Sequence, residues 1–396
     1  MKPLNNTTHP LESLLQQHCP NGVEFKELGE LWEKAPKSKM GANQAKNLSK
    51  NNGNICFTSG ETHYFIDDYL VDGEFLFLND GGTADIKYNS GKAYYTDHIF
   101  AFTSQKICVK FLYYFLKDKQ EAINKTCFQG TGLKNLQKNK IEKFPIPLPP
   151  LEIQHKIVEI LDAFTELQAE LQAELEARLK QYHYYRNKLL SHDELENRTA
   201  KSRNDSDPTP IVPYVRLGEV CEKVFAGGDL PKEYSKDKKP SGEFLYPIYS
   251  NGSDENSLYG FSKTYRIDAE AVTISARGTI GFHTTREAKF TPIVRLITLI
   301  PNLNKITNRF LNYALYTTHI EKYGTSAGIP QLTIPMLEKI TIPLPPLSVQ
   351  EEIVELLDKF DTLTNDLTSG IPAEIEARKK QYEYYRERLL SFIAKD

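Results

Sequence analysis

The chain has 396 residues, a hydrophobic fraction of 40% and a formal charge of −3 at neutral pH, which predicts an ordinary globular protein of two or three domains. No run approaches the ~18 consecutive apolar residues of a membrane span, and no segment reads as a signal peptide. Five cysteines (Cys19, Cys56, Cys108, Cys127 and Cys221), odd in number and without paired spacing, predict a reduced, cytoplasmic setting with neither a disulfide framework nor a zinc site.

Residues 1–22 form a leader with a short apolar pattern, Leu11-Glu12-Ser13-Leu14-Leu15. That pattern echoes Lys188-Leu189-Leu190-Ser191 and Arg388-Leu389-Leu390-Ser391, which predicts a circular arrangement with the leader packed where the chain's last helix finishes. Residues 23–150 read as a first globular domain. A strand over residues 73–79 ends in the turn Asp80-Gly81-Gly82-Thr83, a second strand covers residues 98–102, and residues 111–124 have helical spacing. The polar loop Gly130-Thr131-Gly132-Leu133-Lys134-Asn135 precedes the last strand.

That strand runs into Ile146-Pro147-Leu148-Pro149-Pro150-Leu151, followed by Gln154, Ile157, Val158, Leu161, Asp162 and Phe164. Prolines end the ladder of a strand and are tolerated in the first turn of a helix, so a helix of roughly 40 residues and about 60 Å should span residues 151–191. Residues 192–210, rich in Asn, Asp, Ser, Arg and Pro, read as a solvated linker.

Residues 211–346 then repeat the order of the first domain at an offset of about 196 residues. Tyr214-Val215-Arg216-Leu217-Gly218-Glu219 opens it, Ser275-Ala276-Arg277-Gly278-Thr279 matches the first turn, residues 293–300 supply the next strand, and residues 310–323 are helical. Thr325-Ser326-Ala327-Gly328-Ile329-Pro330-Gln331 matches the polar loop. Ile342-Pro343-Leu344-Pro345-Pro346-Leu347 then launches a second long helix over residues 347–396, with Gln350, Ile353, Val354, Leu357, Asp358 and Phe360 in register. The frameworks agree and the loops differ, as expected of one fold with two targets.

Ile157, Leu161, Phe164, Leu171 and Leu175 form an apolar stripe, repeated as Ile353, Leu357, Phe360, Leu367 and Ile375, and two such stripes most simply bury each other. A two-fold relation between the halves makes the helices antiparallel and holds the globular domains apart. The distal motifs, Glu174-Leu175-Glu176-Ala177-Arg178 and Glu374-Ile375-Glu376-Ala377-Arg378, are about 200 residues apart rather than about 196, as expected where one repeat carries an insertion. The second copy therefore gains residues around Ser369-Gly370-Ile371-Pro372, which should break or kink it. The first copy instead holds a tandem unit, Gln168-Ala169-Glu170-Leu171 and Gln172-Ala173-Glu174-Leu175. Each unit is about 6 Å of helix, close to two DNA base-pair steps of ~3.4 Å.

The duplicated proline–helix junction, the glycine loops and the shared helix ends together resemble the specificity subunit of type I restriction–modification enzymes, over essentially the whole chain. The resemblance implies an α+β protein with two similar target-recognition domains, each followed by a long helix, the helices forming an antiparallel coiled coil with pseudo-two-fold symmetry. It implies a non-catalytic DNA-reading subunit that recognises two half-sites separated by a spacer. The expected partners are double-stranded DNA, two modification (methyltransferase) subunits and two restriction (motor–nuclease) subunits. S-adenosylmethionine, ATP and Mg2+ are expected on those subunits, and none on this chain.

An enzymatic reading has little to draw on. The Asn- or Asp-Pro-Pro-aromatic tetrad of amino-methyltransferases and the GxxxxGK[ST] phosphate loop are both missing from the sequence, and Gly81-Gly82-Thr83 and Gly278-Thr279 read as turns. His63, His98 and His283 lack metal-ligand spacing, and Glu61, Asp67, Asp68 and Asp80 have no lysine at a spacing that suits a two-metal nuclease. The alternatives left open are a coiled-coil scaffold whose domains bind proteins and an enzyme acting on DNA.

The whole-chain charge gives weak guidance. Residues 23–150 and 211–346 are mildly positive and the two helices acidic, which allows local DNA binding but equally describes solvated surface. DNA readers use Lys and Arg, amides and hydroxyls on loops. In the first domain these are Lys37, Lys39, Thr58, Ser59, Asn79, Lys87, Thr131, Lys134 and Asn135; in the second, Lys236, Lys238, Lys239, Ser250, Asn251, Ser275, Arg277, Thr279, Ser326 and Gln331. The first domain has no arginine. Tyr182, Tyr184, Tyr185 and Tyr382, Tyr384, Tyr385 suit either packing on a domain or a methyltransferase interface.

Overall fold

A computed structural model describes residues 17, 19–132, 134–202, 212–325, 331–366 and 368–394. The chain divides into two compact units, Met1–Gln172 with Glu374–Asp396, and Ala173–Ala373. Each unit therefore holds one globular domain, the start of the long helix that follows it, and the end of the other long helix.

The first domain contains strands β1 (Phe25–Glu27), β2 (Glu33–Lys34), β3 (Asn54–Phe57), β4 (His63–Ile66), β5 (Glu74–Asn79), β6 (Ile86–Ser90), β7 (Ala93–Tyr95), β8 (Ile99–Thr103), β9 (Phe128–Gln129), β10 (Asn135–Leu136) and β11 (Pro145–Pro147). They form the sheets β2-β8-β5-β6 and β4-β3-β7, with β1 paired to β11 and β9 to β10. Alternation along β5 sorts its side chains between two cores. Leu76 and Leu78 join Phe111, Leu112 and Phe115 of the helix Val109–Asp118, while Phe77 joins Phe57 and Tyr95 on the other face.

The second domain repeats this plan. Its strands are β12 (Tyr214–Arg216), β13 (Cys221–Ala226), β14 (Tyr234–Ser235), β15 (Tyr246–Tyr249), β16 (Leu258–Ser262), β17 (Ala271–Ile274), β18 (His283–Arg286), β19 (Thr291–Pro292), β20 (Ile297–Pro301) and β21 (Thr341–Pro343). The sheet β13-β20-β17-β18 corresponds to β2-β8-β5-β6. The parallel pairing of β15 with β19 corresponds to that of β3 with β7. Val272 and Ile274 face Phe310 and Leu311 of the helix Asn308–Leu315.

The proline junctions show why their polar residues recur. β1 pairs with β11 through Phe25 and Pro147, and β12 with β21 through Tyr214 and Pro343. In the next turn, the buried Gln154 amide donates to the Pro149 carbonyl (2.7 Å) while its oxygen accepts the Cys108 N–H (2.8 Å). Gln350 does the same for Pro345 (2.8 Å) and Thr307 (2.9 Å), and also donates to Lys305 (2.9 Å). Two turns on, Asp162 accepts from Lys110 (2.7 Å) and Tyr114 (2.6 Å), and Asp358 accepts from Arg309 Nε (3.0 Å) and Tyr313 (2.5 Å). Burial, and then the hydrogen bond to each aspartate, push both phenols above their ordinary range.

The long helices are unequal. The first is continuous over Leu151–Leu189; the second is split into Leu347–Asn365 and Ile371–Leu389. The break expected at Ser369-Gly370-Ile371-Pro372 is present. Asp366 accepts hydrogen bonds from the Ser369 hydroxyl and from the Thr368 hydroxyl (2.6 Å) and N–H (2.7 Å), which hold its carboxyl down at about 2. A Cβ at Gly370 would lie 2.5 Å from the Thr362 carbonyl oxygen, so the tight return of the chain needs glycine there.

The apolar stripes bury each other as expected at the two ends of the helix pair, and share that burial with the globular domains. Ile157 and Leu161 lie in the core of the first domain, and Ile353 and Leu357 in that of the second. Leu389 and Leu390 share the first core with Ile157 and Leu161, and Leu189 and Leu190 the second with Ile353 and Leu357, and aromatic contacts continue the packing. Phe164 stacks on Tyr385 (5.4 Å) and meets Tyr382 (6.2 Å), and Phe360 stacks on Tyr185 (5.5 Å) and meets Tyr182 (6.5 Å). In each unit the start of one helix thus lies beside the end of the other, antiparallel. Leu171, Leu175 and Ile375 are half-buried, and Leu367 lies outside the described residues.

Other expectations need correction. Residues 192–202 are a helix, not an open linker, because Leu195 is fully buried and Arg198 pairs with Glu194 (2.7 Å) and Glu352. Residues 111–124 are divided at Lys119 between the helices Val109–Asp118 and Gln120–Cys127. Residues 310–323 comprise the end of Asn308–Leu315 and a separate 3-10 turn, Ile320–Tyr323. Most of the leader lies outside the described residues; at its end a Cβ on Gly22 would lie 2.8 Å from the Ala394 carbonyl oxygen, and the next residue, Val23, donates its N–H to the Ile393 carbonyl (2.8 Å).

Replacing Gln350 by Leu keeps bulk but strands a buried N–H and two carbonyls. We expect destabilisation of ~1–3 kcal/mol for each group that water cannot reach, read as a lower urea midpoint, whereas a midpoint equal to wild type would show the amide to be dispensable.

Candidate nucleic-acid interface

In each domain the glycine turn and the polar loop are brought together by a short antiparallel pairing. In the first, Gly81 pairs with Asn135, the Gly82 N–H donates to the Lys134 carbonyl (2.8 Å), and the Leu136 N–H donates to Asp80 (2.9 Å). In the second, Arg277 pairs with Gln331, and the Leu332 N–H donates to Ala276 (2.9 Å). Gly82 (φ +82°) and Gly278 (φ +79°) occupy matching left-handed positions, which only glycine adopts without strain. The same backbone therefore presents Thr131, Lys134 and Asn135, all exposed, in one domain, and exposed Arg277 and Thr279 with half-buried Gln331 in the other.

The remaining first-domain candidates divide into two groups. Lys37 and Lys39 are exposed on either side of buried Ser38, whose hydroxyl accepts the Met40 N–H (3.1 Å). Thr58, Asn79 and Lys87 turn inward instead. Thr58 is buried and donates to the Thr62 carbonyl; buried Asn79 donates to Ser59 and Thr83. The Lys87 ammonium donates to the carbonyls of Thr58 (2.8 Å) and Gly60 (2.9 Å) and pairs with Asp85 (3.0 Å). Burial would raise the Asp85 carboxyl, but hydrogen bonds from Lys117 and Lys87 hold it below its ordinary value. These groups shape the loop that carries half-buried Ser59.

The second domain shows the same division. Lys236 and Lys239 are exposed, and Lys238 is exposed but donates to the Leu258 carbonyl. Ser250 is half-buried, and its N–H donates to Ser257 (2.9 Å). Buried Ser275 accepts the Gly252 N–H (3.1 Å) and shares a hydrogen bond with Thr279 (3.1 Å). The Asn251 amide donates to the Val294 carbonyl (2.5 Å) and accepts the Ala276 N–H (2.8 Å), joining two loops. Ser326 lies outside the described residues.

Beside this turn is a cleft of about 690 Å³, lined by residues 226–230, Ala276, Arg277, Val294, Arg295, Ile297 and residues 331–335. Val294 (φ +52°) and Arg295 (φ +62°) are both left-handed, a conformation that costs on the order of 1–3 kcal/mol per non-glycine residue and is steep for a β-branched valine. Their N–H groups donate to Gly228 and Gly227, each at 3.0 Å. A Cβ on Gly227 would sit 2.7 Å from the Pro292 carbonyl carbon, and one on Gly228 2.9 Å from Arg266 Nη1, so the glycine pair permits the close approach. Arg266 and Arg295 are exposed here, and neither stands among the sequence candidates. The apolar run Ile293-Val294-Arg295-Leu296-Ile297 reads as strand, whereas β20 begins only at Ile297; Gly227-Gly228 was the available signal.

Among the described residues, no helix is long and apolar enough to cross a membrane. The family described as "Type I restriction modification DNA specificity domain" matches twice, over residues 20–181 and 212–377. The chain is 36% identical to a protein of Mycoplasma pneumoniae named as a type I specificity subunit, over 83% of this chain and 96% of that one. It is 33% identical to a Haemophilus influenzae protein named as a type I restriction enzyme specificity subunit, over 98% and 99% of the two chains. In fold it is similar to the crystal structure of a type I restriction–modification S subunit from M. genitalium, with a TM-score of 0.66 at 21% identity over 94% of this chain and 98% of that one.

Substituting Asn251 by Ala removes the tie between Val294 and Ala276. The stranded Ala276 N–H predicts a loss of ~1–3 kcal/mol, whereas exposed Lys236→Ala should stay within ~0.5 kcal/mol of wild type. Equal urea midpoints for the two variants would contradict the positioning role of Asn251.

Proposed function

Because the chain belongs to the type I restriction–modification DNA specificity family, we propose that it selects a bipartite DNA sequence, one half-site per recognition domain, with the helix pair setting their separation. The observation that carries this reading is the repeated turn-and-loop pairing, Gly81 with Asn135 and Arg277 with Gln331, which puts different side chains on one backbone frame. A single frame with two sets of reading groups suits two different sequences. The contribution of the long helices rests on the fastening of each domain through Gln154 and Asp162, or Gln350 and Asp358, which leaves no free hinge at the start of either helix.

In this reading the chain makes and breaks no bonds. Two modification subunits carry S-adenosylmethionine, two restriction subunits carry ATP and Mg2+, and the complex works in the cytoplasm. Exposed Tyr184 and Tyr384, on the distal halves of the helices, suit a protein partner. A scaffold whose domains bind proteins remains the competing reading, and the experiments below separate the two.

The protein with its modification subunits should enrich one split sequence from a pool of random duplexes. If the pool returns no enriched bipartite motif, DNA reading is wrong and the scaffold reading gains. Adding one Gln-Ala-Glu-Leu unit after Leu175 lengthens the first helix by about 6 Å and should lengthen the accepted spacer with both half-sites unchanged; a changed half-site with the old spacer would contradict the ruler.

A further inference from the structure

We propose that the second recognition domain reads a G·C base pair through Arg277 and Arg295, so that its half-site contains guanine at a position set by this pair. The inference rests on the DNA-reading function above and deepens it. Arginine use in the chain is uneven: the first domain has none, and the second has several. Two of these are spent inside the fold. Arg286 lies 3.7 Å from the Tyr249 ring and bonds to Thr273 (3.1 Å) and Ser257 (2.8 Å), and Arg309 is held by Asp358. Arg277 and Arg295 instead line the cleft beside the glycine turn and are exposed, with Arg266 next to its Gly228 wall.

Their placement is built into the backbone. Arg277 is fixed by its pairing with Gln331, and Arg295 by the left-handed turn anchored on Gly227, Gly228 and Asn251. The guanidinium fork matches the adjacent O6 and N7 acceptors of guanine in the major groove, and Gln331 could serve a neighbouring adenine edge in the same groove. Arginines also bind phosphates, but Asp229 lines the same cleft and is exposed. A carboxylate repels a phosphate, whereas it accepts from the N4 amino group of cytosine, the partner base of guanine. The mixture of two arginines, an aspartate and a glutamine thus fits the donor and acceptor pattern of base edges better than a uniform chain of phosphates.

The test compares wild type with Arg277→Lys and Arg295→Lys, each as the full chain with its modification subunits, by enrichment from random duplexes. Lysine retains the charge and would preserve a phosphate contact, but loses the fork. The expected result is a second half-site containing guanine in wild type, relaxed about 5- to 150-fold at one position in each variant, with the first half-site unchanged. Asp229→Asn should relax the same position. If Arg277→Ala and Arg295→Ala keep the wild-type second half-site and lose affinity equally for all sequences, with a salt slope smaller by about one, the arginines hold phosphates and the inference falls while the proposed function stands. If wild type enriches no sequence at all, both fall.

Discussion

The arrangement depends on one buried amide, used twice. Gln154 and Gln350 each satisfy the carbonyl that the proline turn leaves without a helical partner, and each accepts the N–H of the residue that caps a helix of the globular domain, Cys108 or Thr307. A buried amide with both ends satisfied fixes position more narrowly than apolar contact does, because an angular error breaks a hydrogen bond that water cannot replace. The cation–aspartate–tyrosine cluster two turns further along supplies a second point of attachment, and two points define a direction. Each domain is therefore held at a set angle to the start of its helix. The register in which the loops present their groups depends on that attachment.

The recognition domains show how a common frame tolerates different chemistry. The pairing of turn with loop uses backbone groups, so it sets no requirement on the side chains of Asn135, Arg277 and Gln331. One step behind, the polar side chains have the opposite role: Asn79, Thr58 and Lys87 in the first domain, and Asn251 and Ser275 in the second, are consumed by carbonyls and N–H groups of neighbouring loops. Residues of one chemical type are thus split by depth, with the inner set supporting the outer.

That split marks where the sequence was informative. The duplication, the strand-to-helix junctions, the glycine turns and the break near Gly370 were legible because each depends on a local rule: proline ending a ladder, glycine allowing a left-handed turn, periodicity in a helix. Depth was not legible. A lysine such as Lys87 reads as surface until the carbonyls of Thr58 and Gly60 are placed around it. Residues 192–202 read as solvated by composition, yet buried Leu195 and the ion pairs of Arg198 hold them as a helix. Arg295 was hidden in an apolar run because the left-handed turn that exposes it depends on glycines far away in sequence. In the helices, spacing reveals an apolar face but not that the globular domain shares in covering its first turns.

The tandem four-residue unit in the first helix has an angular consequence as well as a linear one. Each helical residue turns by about 100°, so one unit adds a full revolution and about 40° more. Under the proposed role of the helix pair, a domain fastened to its helix without a hinge would carry that residual rotation into its reading groups. Two base-pair steps of DNA at 10–10.5 per turn rotate by about 70°, leaving about 30° to be absorbed by twist in the duplex or bending of the helices. If the helix pair sets the spacing as proposed, a change by whole units would stay almost in phase with the double helix, whereas a change by two or three residues would turn the reading face well away from it.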